Sequence, residues 1–389
     1  MKILVICQYY SPEPFRIADI CETLVKEGNE VDVVTSFPNY PMGEIYDGYK
    51  SGEHKDEVIN GVNVHRVFTV GRKTGALHRF INYYAYSISS TLYVSKLKKE
   101  YDVVLVYQLS PVMMAEAALR YKKKFGKKVV LYCLDLWPES LTLGGIKRDG
   151  IVYSYYKKLS KKIYGGVDKI LVSSRMFINY LNSVLDLKND RIQYLPQYAE
   201  DMFYLLDEQT GETINITFAG NIGTSQSIET ILYAAQRLKN KNVQFNFYGD
   251  GSGFDKMVAL AQDLQVENVV FHGRVPIEEL PKKYAKSDAL IVSLSDNDVL
   301  SMSFPGKIQS YMAAGKPIIA SLNGEAARII TEADCGFVSR AEDVDGLVSC
   351  IEELVGADKA LLGRNSRAYY EKNFQKEAFI KKLLEILAE

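Results

Sequence analysis

INITFAG (214–220), followed by the turn Asn221-Ile222-Gly223-Thr224-Ser225 and an amphipathic run at 228–238, reads as strand, glycine turn and helix. Ile214, Ile216 and Phe218 alternate here with Asn215 and Thr217, whereas the strand-like runs before residue 214 are apolar on both faces, as in a parallel sheet covered by helices. The position of this stretch decides the fold, because the same succession of strand and helix has already run once before residue 214. Upstream, KILVICQ (2–8), VDVVTS (31–36), VNVHRVF (62–68), VVLVYQ (103–108), VVLYCL (129–134) and KILVSS (169–174) read as strands. Helical stretches at 15–27, 111–125 and 150–164 separate them. Downstream, VQFNFYGDG (243–251), VVFHGRV (269–275), ALIVSL (289–294), PIIAS (317–321) and 335–338 repeat the pattern, with a helix at 253–264. The join falls at YLPQYAED (194–201), where a proline and polar residues interrupt it. Two runs of alternating units predict an α/β chain of two doubly wound domains, 1–197 and 198–369, facing across a cleft. A last helix at 364–389 is long enough for its part from 370 onward to reach back to the first domain.

Composition agrees with this reading. The chain has 389 residues, 47% of them hydrophobic, which suits two packed cores and excludes a disordered or collagen-like chain. No run of about 18 uncharged apolar residues is present to span a membrane. MKILVICQYYSPEP meets a Pro-rich loop without a small-residue cleavage site, so it reads as a first core strand and not as a leader. Five widely spaced cysteines without a CxxC suggest neither disulfides nor zinc and fit a reducing cytoplasm. Net charge is −1, but the halves differ. Residues 1–200 carry 28 Lys and Arg against 21 Asp and Glu, and residues 201–389 carry 19 against 27.

Ligands of doubly wound domains sit beyond the carboxyl ends of the strands, so candidates are the residues that follow each strand. Tyr9-Tyr10-Ser11-Pro12-Glu13-Pro14-Phe15-Arg16 places Arg16 at a helix start, either holding a phosphate or on a solvated turn. Leu134-Asp135-Leu136-Trp137-Pro138-Glu139 brings two carboxylates to a strand end. Asp135 there can orient a substrate hydroxyl or accept its proton, whereas Glu139 serves either the substrate or a helix start. Gly220, Asn221 and Gly223 form a turn that a diphosphate can approach, although the full G-x-G-x-x-G spacing is missing. Tyr248-Gly249-Asp250-Gly251-Ser252-Gly253 is either a second such turn or a tight connection. Phe304-Pro305-Gly306-Lys307-Ile308 sets a lysine in a glycine turn before a helix, where ammonium and backbone donors can converge on phosphate. Asp296-Asn297-Asp298 has the form of a metal-binding DxD, yet such acids are more often solvated, and no metal is expected. Tyr83 and Tyr84 belong to a long aromatic stretch flanked by Arg72, Lys73, Arg79, Lys96, Lys98 and Lys99. The run at 153–162 repeats that theme. Such surfaces suit anionic headgroups, and nucleic acid can use them too.

The ordered set QYYSPEP, LDLWPES, FAGNIG, FYGDG, FHGRVPIEELPKKYAKSD and FPGKIQSYMAAGKPIIA resembles the retaining glycosyltransferases of family four over essentially the whole chain. The nearest likeness is to bacterial enzymes of polysaccharide repeat units, fucosaminyltransferase-like ones included. The resemblance implies a GT-B fold of two Rossmann-like domains, with a nucleotide-diphosphate sugar as donor, expected to be a UDP-sugar and with an N-acetylated amino sugar as one option. It implies a lipid diphosphate-linked saccharide as acceptor, an anionic membrane surface as partner and no nucleic acid. The site expected is cytoplasmic, on the inner face of the cell membrane. Gly220, Asn221 and Gly223 would lie along the diphosphate, Arg274 and Val275 near the nucleobase, and Gly306, Lys307 and Ile308 near the diphosphate and the transferred sugar. Ser310 would join the donor site. Asp135 and Lys307 would be catalytic, and Arg16, Glu139, Tyr83 and Tyr84 would meet the acceptor.

Departures from the family pattern sharpen these expectations. Leu134 stands where many relatives have a catalytic-site histidine. Met302 and Ser310 stand at two usual glutamates, the second of them ribose-binding, while Asn221 and Gln226 replace a usual Arg and Lys. Diphosphate charge then falls mainly to Lys307, helix N-termini and Arg16. The implied same-face substitution uses the leaving phosphate oxygen to deprotonate the acceptor and needs no cofactor and no metal. A sugar-nucleotide epimerase and a non-catalytic sugar-nucleotide-binding protein are the competing readings.

Overall fold

The computed structural model describes residues 1–73, 75–204 and 211–389. The chain divides into two compact units, Met1–Leu195 with Ile380–Glu389, and Pro196–Phe379.

The first unit is built on β1 (Lys2–Ile6), β2 (Glu30–Ser36), β3 (Asp56–Ile59), β4 (Val62–Val67), β5 (Val103–Gln108), β6 (Lys128–Cys133), β7 (Lys169–Val172) and β8 (Ile192–Tyr194). They form one sheet in the order β3-β4-β2-β1-β5-β6-β7-β8. All neighbours are parallel except the edge pair β3 and β4. Central strands are buried throughout, which is why they read as continuous apolar runs. Helices α1 (Ile17–Lys26), α2 (Ala76–Lys96), α3 (Glu116–Phe125), α4 (Ile151–Gly166) and α5 (Arg175–Ser183) connect them. The stretch read as helix from 111 opens as a 3-10 turn at Val112–Ala115, and α3 begins only at Glu116. Gly126, at φ +68°, ends α3 in the left-handed conformation that glycine adopts without strain.

The second unit has β9 (Ile214–Ala219), β10 (Val243–Tyr248), β11 (Val269–Gly273), β12 (Ala289–Ser293), β13 (Ile318–Ser321) and β14 (Gly336–Ser339). Their order is β11-β10-β9-β12-β13-β14, parallel throughout. The helices are α6 (Ile228–Arg237), α7 (Phe254–Asp263), α8 (Leu280–Ala285), α9 (Asp298–Met302), α10 (Gly306–Ala313), α11 (Glu325–Glu332), α12 (Val344–Gly356) and α13 (Lys359–Asn373). Two apolar clusters form the core, one gathering α6, α7 and α12 and the other α8, α10 and α11. Asp343 and Asp358 cap α12 and α13 by accepting the N–H groups of Gly346 (2.9 Å) and Leu361 (2.9 Å).

The single helix expected at 364–389 is two. At Phe374 the backbone leaves the helical region and the ring packs on Phe304, with centroids 5.4 Å apart. A new helix, α14 (Lys376–Ala388), then starts. Its residues from Ile380 belong to the first unit, where the Lys128 ammonium donates to the Ile386 carbonyl (2.5 Å) and Lys169 pairs with Glu389 (3.3 Å). No helix among the described residues is long and apolar enough to cross a membrane.

Candidate functional site

The second sheet reverses its strand order between β9 and β12, and its candidate site gathers at that switch point. Gly220 follows β9 at φ +143°, a conformation that side-chain-bearing residues rarely adopt. A Cβ there would lie 2.9 Å from the Lys307 ammonium, so the lysine rests on the bare glycine backbone. The loops after β9 and β10 are zipped by Gly220 N–H to Tyr248 O (2.9 Å), Ile222 N–H to Asp250 O (2.9 Å) and Gly253 N–H to Ile222 O (2.9 Å). A Cβ on Gly249 would overlap the Gly220 carbonyl, and one on Gly251 would come within 2.5 Å of Ile222 O. The glycines after Tyr248 are therefore explained by close backbone approach.

Helix α10 carries Lys307 in its first turn and is fixed by Tyr311. The Tyr311 hydroxyl accepts the Ala219 N–H (3.4 Å) and donates to Ile291 O (3.3 Å), tying α10 to β9 and β12. Gly306 opens the helix beside Lys307, Ile308 is fully buried beneath it, and Gly315 follows its end at φ +64°. The Lys307 ammonium lies 4.1 Å from the Phe218 ring centroid and has no carboxylate partner among the described residues. Desolvation pulls its pKa down to about 8. A cation without a counter-ion, beside a glycine turn and the N–H groups of a helix start, is suited to an anionic ligand.

The other donor-side candidates separate by position. Asn221 donates to Gln226 Oε1 (3.2 Å), and the same oxygen accepts the Gly223 N–H (3.2 Å). The two positions where relatives carry cations thus form a neutral pair that closes the turn. Arg274 and Val275 follow β11, two strands from β9 and so about 10 Å away across the sheet. Ser310 is buried and donates to Gly306 O (3.4 Å) and to Glu200 Oε2 (3.5 Å). Glu200 brings a carboxylate to the place where Ser310 lacks one, and nothing in its local sequence signals this. Asn297 caps α9 through the Val299 N–H (2.9 Å), and Asp296 accepts from Asn323 (3.0 Å), so the DxD segment is engaged in the loop itself.

In the first unit, Asp135 follows β6 and accepts the Ser110 N–H at 2.8 Å. Burial raises its pKa, against the hydrogen bonds from Ser110 and the nearby Arg72 charge. Trp137 donates from its indole to Ser110 Oγ (2.9 Å) and packs edge-on against Tyr83 (6.4 Å) and Tyr156 (5.5 Å). Tyr83 is only 4% exposed, and the Tyr84 hydroxyl is hydrogen-bonded to Tyr156 (2.9 Å). Glu139 follows Trp137 and Pro138 and is held by neighbours of its own. It is 2% exposed, with one oxygen bound by the Tyr153 hydroxyl and the other by Arg148 Nε at 3.0 Å. Arg16 occupies the cap position of α1 without a side-chain cap.

Comparison with known proteins gives this geometry its context. Residues 16–197 match the family model described as Glycosyltransferase Family 4, and residues 213–357 match Glycosyl transferases group 1. The chain is 30% identical to WbjE of Pseudomonas aeruginosa, named as a glycosyltransferase, over 70% of each chain. It is 23% identical to WcaI of Escherichia coli K12, named for colanic acid biosynthesis, over 99% of each. Among solved structures, Anabaena HepE in complex with UDP and glucose superposes with a TM-score of 0.71 at 13% identity, covering all of both chains. Family match, sequence relatives and fold agree: the chain belongs to the family-four glycosyltransferases of GT-B fold.

Proposed function

We propose that the protein transfers a sugar, with retention, from a nucleotide-diphosphate donor to a lipid-linked saccharide during surface polysaccharide assembly. The observation that carries this reading is the Lys307 ammonium, set on Gly220 without a counter-ion among the described residues, at the switch point of the second sheet. As the donor's glycosidic bond breaks, negative charge grows on the leaving diphosphate. Lys307 and the first-turn N–H groups of α10 stabilise that charge. A leaving-phosphate oxygen then takes the acceptor proton on the same face, while Asp135 orients the accepting hydroxyl. The diphosphate is met by side chain and backbone, so activity is metal-independent. UDP is the favoured nucleotide, since HepE is solved with it, and an N-acetylated amino sugar is one candidate for the transferred group. The name of WcaI, given for colanic acid biosynthesis, supports polysaccharide assembly as the setting.

The acceptor is held at a membrane. Leu77, Ile81, Tyr84, Ile88 and Leu92 form one exposed face of α2, and Ile151 (90% exposed), Val152 and Tyr155 open α4. The helices meet where Phe80 stacks on Tyr156 at 6.0 Å. Exposed Arg79, Lys158, Lys161 and Lys162 lie on the same two helices. Apolar residues with adjacent cations suit the anionic inner leaflet of a cell membrane.

The test is incubation of the protein, in EDTA, with labelled sugar nucleotides, with and without a lipid diphosphate-linked sugar. Acceptor-dependent transfer is expected. Acceptor-independent isomerisation, or binding without turnover, would replace this reading with an epimerase or a binding protein.

A further inference from the structure

The first sheet changes direction between β1 and β5, and loops at such a switch point leave a crevice beyond the strand ends. Three side chains from distant parts of the chain are coupled there, the charge of Arg72 after β4 acting on Tyr9 after β1 and on Asp135 after β6. The Arg72 guanidinium lies over the Tyr83 ring at 5.9 Å and forms no ion pair among the described residues. Tyr9, Tyr83, Tyr40 and Asp135 are the groups its charge faces. Tyr9 stacks on Phe15 (5.0 Å, 16°) and tilts against Tyr40 (5.9 Å), and both of those rings are half-buried. Tyr9 itself is 3% exposed, and its hydroxyl has no hydrogen-bond partner among the described residues. A buried hydroxyl without a partner costs stability and marks a place where a ligand group or water is due. The loop is not slack: the Glu13 carboxylate accepts the N–H groups of Tyr10 (3.3 Å), Asn39 (2.8 Å) and Tyr40 (2.7 Å).

We propose that Arg72, Tyr9 and Asp135 form a binding site for a neutral sugar ring, the saccharide end of the acceptor, with Phe15 and Tyr40 as its apolar wall. This rests on the glycosyltransferase reading above and names residues for its acceptor side. Donor and acceptor capacity decide the ligand class. Arg72 only donates, ionised Asp135 only accepts, and Tyr9 does both. Sugar hydroxyls, which donate and accept, satisfy all three. A phosphate would be drawn to Arg72 but would face the Asp135 carboxylate, and the charges of these two residues cancel.

Saturation-transfer NMR on the full chain tests this, with methyl hexopyranosides of the gluco, galacto, manno and N-acetylglucosamine series, inorganic pyrophosphate and UDP as separate probes. At least one glycoside should bind, and its signal should fall at least fivefold in Arg72→Ala and in Tyr9→Phe while the UDP signal holds. Tyr9→Phe keeps the ring and removes the partnerless hydroxyl, so its melting temperature should stay level or rise. A purely structural tyrosine would not combine that with lost glycoside binding. The proposal is overturned by glycoside signals absent from the wild type, by signals unchanged in both variants, or by Arg72-dependent binding of pyrophosphate alone. A missing UDP signal would count against the donor reading only, because the glycosides decide this one in either case.

Discussion

The Lys307 ammonium stands 2.9 Å from the point where a Cβ on Gly220 would be. Residues 87 positions apart are thus fitted to each other, and each constrains what the other can become. Gly220→Ala would push the lysine aside and also hold a side-chain-bearing residue at φ +143°. Such strain costs about 1–3 kcal/mol. A melting-temperature loss together with a raised donor KM is expected, and an unchanged KM would show that the fit is not used.

Lys307→Ala should lower kcat by about 10²–10³-fold, the scale for losing one preorganised stabiliser of developing charge. The lysine has no carboxylate partner among the described residues, so its removal leaves no orphaned charge there. The circular dichroism melt should therefore not fall, and at neutral pH the loss of a desolvated charge should raise it. Near-normal turnover would remove the residue from its assigned role.

Lys307, lowered to about 8, predicts a pH effect of definite sign. Its charge in the ligand-free protein is lost as pH rises through about 8, so UDP affinity should weaken above that value. A bound diphosphate restores the ammonium, so binding takes up protons, most strongly above pH 8. Calorimetry in buffers of different ionisation enthalpy measures this uptake, which Lys307→Met should abolish. In the ligand-free protein the unfolded chain holds this proton more tightly. Its contribution to stability therefore rises with pH from about 8 toward the ordinary lysine range near 10.5.

Glu200→Gln should raise the donor KM several-fold and leave kcat nearly unchanged, if the carboxylate beside Ser310 serves the ribose hydroxyls. Steady-state kinetics with varied donor distinguishes this from a fall in kcat, which would place Glu200 elsewhere in the reaction.

Glu139→Ala should destabilise the first unit by about 1–3 kcal/mol, because the buried Tyr153 hydroxyl loses its carboxylate partner. Urea unfolding measures the loss. An acceptor KM that rises without any stability change would instead show that Glu139 serves the acceptor.

The parallel strands were legible because each is buried on both faces and so reads as an unbroken apolar run, as in Val103–Gln108. β3 was not, since its four residues, Asp56 to Ile59, alternate between exposed and half-buried and pair only at an edge, and β8 is three residues long. The break at Phe374 depends on a pocket partly lined by Phe304, which no local pattern reports. At the site, Lys307 and the Gly220 turn stood out because glycines and a lysine at a helix start have local chemistry. The positions of Glu200 beside Ser310 and of Arg72 beside Tyr9 depend on the chain returning from afar. Glu139 shows a related limit: a carboxylate after a strand looks the same in sequence whether it faces solvent or a buried tyrosine.

The membership of residues 380–389 in the first unit has a bearing on biosynthesis. On a ribosome, strands β1 to β8 emerge well before this segment, and the whole second unit is translated in between. Lys128 and Lys169 then wait without the Ile386 carbonyl and Glu389 that later engage them. The first unit is begun first and finished last, so its final closure can only follow synthesis of the domain that carries Lys307.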